Sequence, residues 1–193
     1  NLRNRLVRFK DQLEKSKKSK RGSGKKGIKK EGPQAVLIGL TGSGKSSLMK
    51  LLTNTNPIIG DYPYVTNLAL VGTLKYEGVR IQIIDLPAIN SEYADFGIIN
   101  STDTLIILIT KLEELEKIEP LLKKSIGKRM LVINKIDLLD MNERRKLGAK
   151  LQTKKIEYLA ISTKTKENIE FLKKKIFESF SLLRIYTQEP NKE

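Results

Sequence analysis

The chain has 193 residues, with 37 Lys and Arg against 22 Asp and Glu, and it contains no Cys, His or Trp. One domain with an appendage fits that length, and any chemistry must run on carboxylates, hydroxyls, lysines, backbone amides and bound ions, because thiolates and imidazoles are excluded. No apolar run approaches the roughly 20 residues that span a bilayer and no signal-peptide pattern opens the chain, so a cytoplasmic protein with no membrane partner is expected.

The charge is concentrated at the start. Residues Asn1 to Gly32 hold 13 Lys and Arg against 3 acids, which sets them apart from the rest of the chain. Leu2, Leu6, Phe9 and Leu13 recur at helical spacing between Arg3, Arg5, Arg8 and Lys10, so Asn1 to Lys15 reads as an amphipathic basic helix. Ser16 to Lys30 is a Lys, Ser and Gly stretch broken by Arg21 and Ile28, and reads as a flexible basic linker carrying Lys17, Lys18, Lys20, Lys25, Lys26, Lys29 and Lys30. A first residue of Asn rather than Met suggests a piece of a longer protein.

From Gln34 onward, strands and helices alternate. Ala35 to Leu40 reads as a strand, Ser46 to Leu52 as a helix with Leu48, Leu51 and Leu52 inward, and Leu68 to Tyr76 with Val79 to Leu86 as a hairpin turning at Glu77-Gly78. Thr104 to Thr110 (strand), Lys111 to Ile126 (helix disturbed by Pro120), Arg129 to Asn134 (strand), Met141 to Leu151 (helix), Ile156 to Ser162 (strand) and Lys166 to Phe180 (helix) complete the series. This order predicts an α/β fold whose mostly parallel sheet is covered on both faces, with one antiparallel strand from the hairpin. In such sheets ligands sit at the carboxyl ends of the strands.

Gly39-Leu40-Thr41-Gly42-Ser43-Gly44-Lys45-Ser46 matches the phosphate-loop pattern in full, between a predicted strand and a predicted helix. The glycines let backbone N–H groups turn inward around phosphate oxygens, and the helix N-terminus adds its dipole. Gly39, Thr41, Gly42, Ser43, Gly44, Lys45, Ser46 and Ser47 are therefore candidate phosphate-binding residues, with Lys45 neutralising the outer phosphates as a catalytic candidate and the Ser46 hydroxyl suited to Mg2+. This loop alone selects neither a base nor a reaction. Asn134-Lys135-Ile136-Asp137, ending a later strand, selects the base: a carboxylate at Asp137 accepts the adjacent ring and exocyclic N–H donors of guanine, where adenine offers an acceptor. Lys135 can lay its stem along the base, and Asn134 can tie this loop to the phosphate loop.

Gly39 to Ser46, Thr66, Asp85-Leu86-Pro87-Ala88, Asn134 to Asp137 and Ser162-Thr163-Lys164 resemble the five ordered motifs of the Ras-like P-loop GTPase domain. The finer pattern is similar to the Obg branch, especially the developmentally regulated GTP-binding (DRG) proteins and their archaeal relatives: Tyr62-Pro63-Tyr64-Val65-Thr66 stands where those carry tyrosine, any residue, phenylalanine and two threonines. The basic helix with its Lys/Gly-rich linker, and Leu183-Arg184-Ile185-Tyr186-Thr187 as the first strand of a small TGS domain, fit the same group. The resemblance divides the chain into a basic arm (1–32), a GTPase domain (33–181) and the start of a TGS-like domain (182–193) that would run on past Glu193.

The resemblance implies that Thr66 is the switch threonine, a catalytic and Mg2+-binding residue, that Asp85 holds Mg2+ through water, and that Ser162, Thr163 and Lys164 contact guanine, with the Thr163 amide meeting its carbonyl. GTP and GDP are the implied ligands, rRNA or the ribosome the implied partner of the arm, and an activating protein an implied second partner. Several residues depart from the pattern. Ala88 stands where the family has a glycine whose amide meets the γ-phosphate, and Ile89 stands where enzymes that orient water have Gln, so slow hydrolysis is expected. Gly42 replaces the Asn of potassium-activated relatives, Thr163 replaces Ala, and no extra domain fits between Thr110 and Asn134. The arm keeps other readings: a solvated tail, a membrane-surface helix, or a stripe packed on the domain. Negligible hydrolysis, leaving a nucleotide-sensing module, and an ATP-dependent phosphotransferase are the other functional readings, the last opposed by Asp137.

Overall fold

The structure, a computed structural model, describes residues 28–53, 58–59 and 69–181. The basic arm up to Gly27, the switch segment with Tyr62, Tyr64 and Thr66, and the TGS-like residues 182–193 lie outside the described residues. Seven strands form one sheet: β1 (Gln34–Ile38), β2 (Ile58–Ile59), β3 (Leu70–Tyr76), β4 (Val79–Asp85), β5 (Thr104–Ile109), β6 (Lys128–Ile133) and β7 (Tyr158–Ala160), in the order β2-β3-β4-β1-β5-β6-β7. β3 pairs antiparallel with both neighbours, while β4, β1, β5, β6 and β7 run parallel, so one strand is reversed as expected.

The helices are α1 (Lys45–Thr53), α2 (Phe96–Ser101), α3 (Leu112–Ile118), α4 (Met141–Thr153) and α5 (Ile169–Ser179). β1 and β5 are buried along their whole length because both faces of a central parallel strand are covered. Ala35 and Leu37 pack with Leu48, Met49 and Leu52 of α1 and Leu172 and Ile176 of α5. Val36 and Ile38 pack on the opposite face with Ile99 of α2, Leu115 and Ile118 of α3 and Leu151 of α4. One strand thus feeds two cores through its period-two alternation.

The hairpin between β3 and β4 turns at Glu77 and Gly78, both with positive φ (49° and 75°), which suits the right-handed twist of the strands it joins. Pro120 has the predicted effect: α3 stops at Ile118 and a 3-10 turn takes over at Glu119–Leu122. The last part of the linker belongs to the domain rather than to the arm. Ile28 packs against the core, Lys30 Nζ pairs with Asp103 Oδ1 at 2.5 Å, and Asp103 Oδ2 accepts the Gln34 amide at 3.0 Å, fixing the chain as it enters β1.

Candidate nucleotide site

The sheet register gathers the motif residues at one edge. Leu37 of β1 lies beside Asp85 of β4, and Ile133 of β6 lies beside Ala160 of β7, so the loops after all four strands leave from the carboxyl ends together. In the first of these loops Gly42 and Gly44 take positive φ (80° and 96°). Position 44 excludes a side chain on a second ground, since a Cβ there would run into Asn134 Nδ2. The first backbone bond of α1 runs from the Leu48 amide to the Gly44 carbonyl at 2.9 Å, leaving the first-turn amides of Lys45, Ser46 and Ser47 directed out of the helix N-terminus. Thr41 is exposed and Ser43 is buried.

Lys45 lies buried, and its Nζ donates to the Gly39 and Leu40 carbonyls, each at 3.3 Å. Burial lowers its pKa, partly offset by Asp85, while burial raises that of Asp85 against the opposing pull of the Ser46 hydroxyl and of Lys45. Ser46 Oγ donates to Asp85 Oδ2 at 2.8 Å, and Asp85 Oδ1 is buried with no protein partner. A hydroxyl and a carboxylate held side by side form a hard-oxygen set that fits Mg2+. No cluster of three acidic side chains is present among the described residues, so the ion would complete its shell from phosphate and water, as Mg2+ commonly does.

The loops carrying Asn134 to Asp137 and Ser162 to Lys164 are joined at several points. Asn134, 1% exposed, donates from Nδ2 to the Ser43 carbonyl at 2.9 Å and to Thr163 Oγ1 at 3.3 Å, and accepts the Thr163 amide on Oδ1 at 3.0 Å. Lys135 takes the left-handed conformation (φ 63°), which turns the chain off β6 into the turn Ile136–Leu138 that carries Asp137. Ser162 Oγ donates to Asp137 Oδ1 at 2.6 Å while accepting the Lys164 and Thr165 amides at 3.2 and 3.1 Å. That hydroxyl, above all, holds the Asp137 carboxyl below its ordinary range, and the charges of Lys164 and Arg144 act in the same direction.

Two of the expected site residues have contacts of their own in this structure. The Thr163 amide, expected to face the guanine carbonyl, donates here to Asn134 Oδ1, and the Thr163 hydroxyl accepts from Asn134 Nδ2. Ala88 does not take positive φ, and its carbonyl accepts the Ser91 amide at 2.8 Å. Ile89 is 2% exposed and packed in the core with Ile84, Leu86 and Ile99. Of the arm cations only Lys29 and Lys30 fall among the described residues, and Lys30 is tied to Asp103.

Residues 34–135, just over half of the chain, match the family described as 50S ribosome-binding GTPase. The chain belongs to that family. This GTPase-family chain is 30% identical over 203 residues to the mitochondrial tRNA modification GTPase MSS1 of Saccharomyces cerevisiae, covering 94% of this chain and 37% of that protein. It is 32% identical over 170 residues to GTPase Obg of Mycoplasma genitalium, covering 75% and 38%. The G domain of the T. maritima FeoB iron transporter superposes with a TM-score of 0.61 at 28% identity, covering 77% of this chain and 98% of that one. The chain is a GTP-binding domain related to Obg and to the tRNA modification GTPases, and it spans less than half the length of these curated relatives.

Proposed function

We propose that the chain binds GTP with Mg2+, hydrolyses it slowly to GDP and phosphate, and acts as a nucleotide-dependent switch on the ribosome or another RNA. The observation that carries the reading is the Asn134 side chain, which joins the phosphate loop at Ser43 to the guanine loops at Thr163. One rigid body therefore addresses both ends of a guanine nucleotide. Asp137 accepts the base donors, Lys45 faces the outer phosphates, and Ser46 with Asp85 holds Mg2+. When bound, the ion supplies charge neutralisation at the phosphates.

The slow rate is inferred from Ile89, whose side chain is buried among apolar neighbours and offers no group to orient an attacking water. An activating partner would supply one, with Thr66 closing over the γ-phosphate as the switch residue. Such a partner would raise the rate without changing the base preference. The RNA partner is supported by the arm's charge, by the family's description and by the tRNA modification GTPases among the relatives. The DRG-like identity, with a TGS domain continuing from 182–193, and a cytoplasmic location are part of the same proposal. No helix among the described residues is long and apolar enough to cross a membrane.

Single-turnover assays with GTP and ATP, beside calorimetry with GDP and ADP, test the reading. Tight GDP binding with slow GTP cleavage is expected; equal affinity for ADP would overturn it. Because Ile89 is buried, the second reading, a nucleotide sensor with negligible hydrolysis, corresponds to tight GTP binding with no phosphate release.

A further inference from the structure

Arg144 lies on α4, outside every recognised nucleotide motif, yet its side chain reaches both guanine loops. Its Nε donates to the Ile136 carbonyl at 3.1 Å and to the Leu139 carbonyl at 3.3 Å, the first residue of the Asp137 turn and the residue that follows it. Its Nη1 meets Glu167 Oε1 at 3.2 Å, and the Glu167 carbonyl in turn accepts the Ser162 amide at 3.2 Å. The guanidinium thus grips the loop carrying Asp137 from two carbonyls and the loop carrying Ser162, Thr163 and Lys164 from one carboxylate.

The helix that presents Arg144 is itself fixed. Asp140 caps α4 in a reciprocal box with Glu143: the Glu143 amide donates to Asp140 Oδ1 at 2.7 Å and the Asp140 amide to Glu143 Oε2 at 2.9 Å. One residue further on, Arg144 points back over the chain that leads into the helix. The planar fork shares its one Nε hydrogen between the two carbonyls while Nη1 reaches the carboxylate, a spread over two atoms that the single nitrogen of a lysine ammonium does not reproduce. The side chains of the ion pair with Glu167 are 36% and 41% exposed, and it is worth little as an isolated pair. What it adds is direction: it keeps the guanidinium plane between the loops.

We propose that Arg144 is a positioning residue for base selection, clamping the Asp137 turn against the Ser162 loop so that both carboxylate oxygens stay aligned with the paired N–H donors of guanine. The proposal rests on the guanine reading of Asp137. A carboxylate that accepts two parallel hydrogen bonds is sensitive to rotation, whereas one that accepts a single bond tolerates it. Loosening the clamp should therefore harm guanine, with its ring N–H and exocyclic amine, more than hypoxanthine, which has the ring N–H alone.

The test measures GDP and inosine diphosphate affinities by calorimetry for the full chain and for Arg144→Ala, Arg144→Lys, Glu167→Gln and Asp137→Asn. Arg144→Ala should weaken GDP about tenfold, the scale of one or two hydrogen bonds, and inosine diphosphate about twofold, so that the preference between them shrinks. Arg144→Lys should not restore the preference, and Glu167→Gln, which keeps an acceptor, should retain most of it. A GDP to inosine diphosphate ratio in Arg144→Ala and Arg144→Lys equal to that of the parent chain would overturn the proposal, even if their melting temperatures fell. Asp137→Asn separates the two claims: if it too leaves GDP affinity intact, the guanine reading has failed; if it alone loses GDP, only the role of Arg144 has.

Discussion

The Ile89 amide donates to the Gly39 carbonyl at 3.2 Å, so the segment after Asp85-Leu86-Pro87-Ala88 is pinned to the first residue of the phosphate loop while the Ile89 side chain is sunk in the core. The same carbonyl also accepts from Lys45. Ile89 is thus a structural anchor at a position where Ras-like enzymes that orient water with a side chain carry Gln.

Ile89→Gln should accordingly lower stability without raising the hydrolysis rate. Burying an unpaired amide costs about 1–3 kcal/mol, in addition to the lost burial of the isoleucine, about 1.5–3 kcal/mol. A melting temperature several degrees lower with unchanged single-turnover hydrolysis is expected. Faster hydrolysis in the variant would mean that the side chain swings out of the core to reach water.

Gly44→Ala places a methyl group against Asn134 Nδ2 and forces an L-residue to φ 96°. The left-handed backbone alone costs about 1–2 kcal/mol, and Asn134 must also release either the Ser43 carbonyl or its own position. Both base and phosphate recognition should weaken together, seen as parallel losses of GDP and of pyrophosphate affinity. Loss of one without the other would show that Asn134 does not couple the loops.

Asp137→Asn replaces an acceptor pair by an acceptor and a donor. GDP affinity should fall about a hundredfold or more, and xanthosine diphosphate, whose base presents a carbonyl where guanine has its amine, should gain. Competition between the two nucleotides on the variant reports the switch directly; an unchanged order would reject base reading by this residue.

Ser162→Ala removes the bond that chiefly depresses the Asp137 pKa. A depressed value keeps the carboxylate available down into acid, so GDP affinity is full above the ordinary Asp value and is lost only as pH falls through the lowered one. In the variant the value rises back toward the ordinary carboxylate range, and the acid limb of a GDP binding profile should move to higher pH. Coincident limbs would show that other contacts set the titration.

Deleting residues 1–27 removes eleven Lys and Arg yet spares Ile28 and the Lys30–Asp103 pair that anchor β1. RNA affinity should fall and its dependence on salt should flatten, because fewer counterions are released, while GDP binding stays as before. RNA binding and salt dependence that survive the deletion unchanged would assign the contact to the domain.

The site motifs are legible in the sequence because each is contiguous: a loop of eight residues and a tetrapeptide declare their chemistry without tertiary information. The central strands are legible for a similar reason, since β1 and β5 lie in nearly unbroken apolar runs. α2 is not, although Asp95 caps it by accepting the Gly97 and Ile98 amides, because Phe96–Ser101 is short and carries glycine and two isoleucines, all poor helix formers. Arg144 escapes as a site residue for a different reason, and so does the burial of Ile89. Arg144 acts on residues up to 23 positions away, and the role of Ile89 depends on which side of the sheet its side chain enters, so neither leaves a local pattern. The Thr163 hydroxyl is visible as a departure, but its effect requires knowing that Asn134 stands next to it.

The Asn134 bridge also sets how binding free energy accumulates. Ser43 and Asn134 are 91 residues apart in sequence and held at 2.9 Å, so on the proposed reading the bridge sets the distance between phosphate cradle and base pocket. Guanosine and pyrophosphate supplied separately would each lose translational and rotational freedom on binding, whereas a joined nucleotide loses it once and meets the second pocket at high effective concentration. The protein behaves as a gauge of fixed length: the two fragments, even together at saturating amounts, should imitate the whole ligand poorly, and a nucleotide whose base and phosphates cannot span that interval should bind no better than its stronger half.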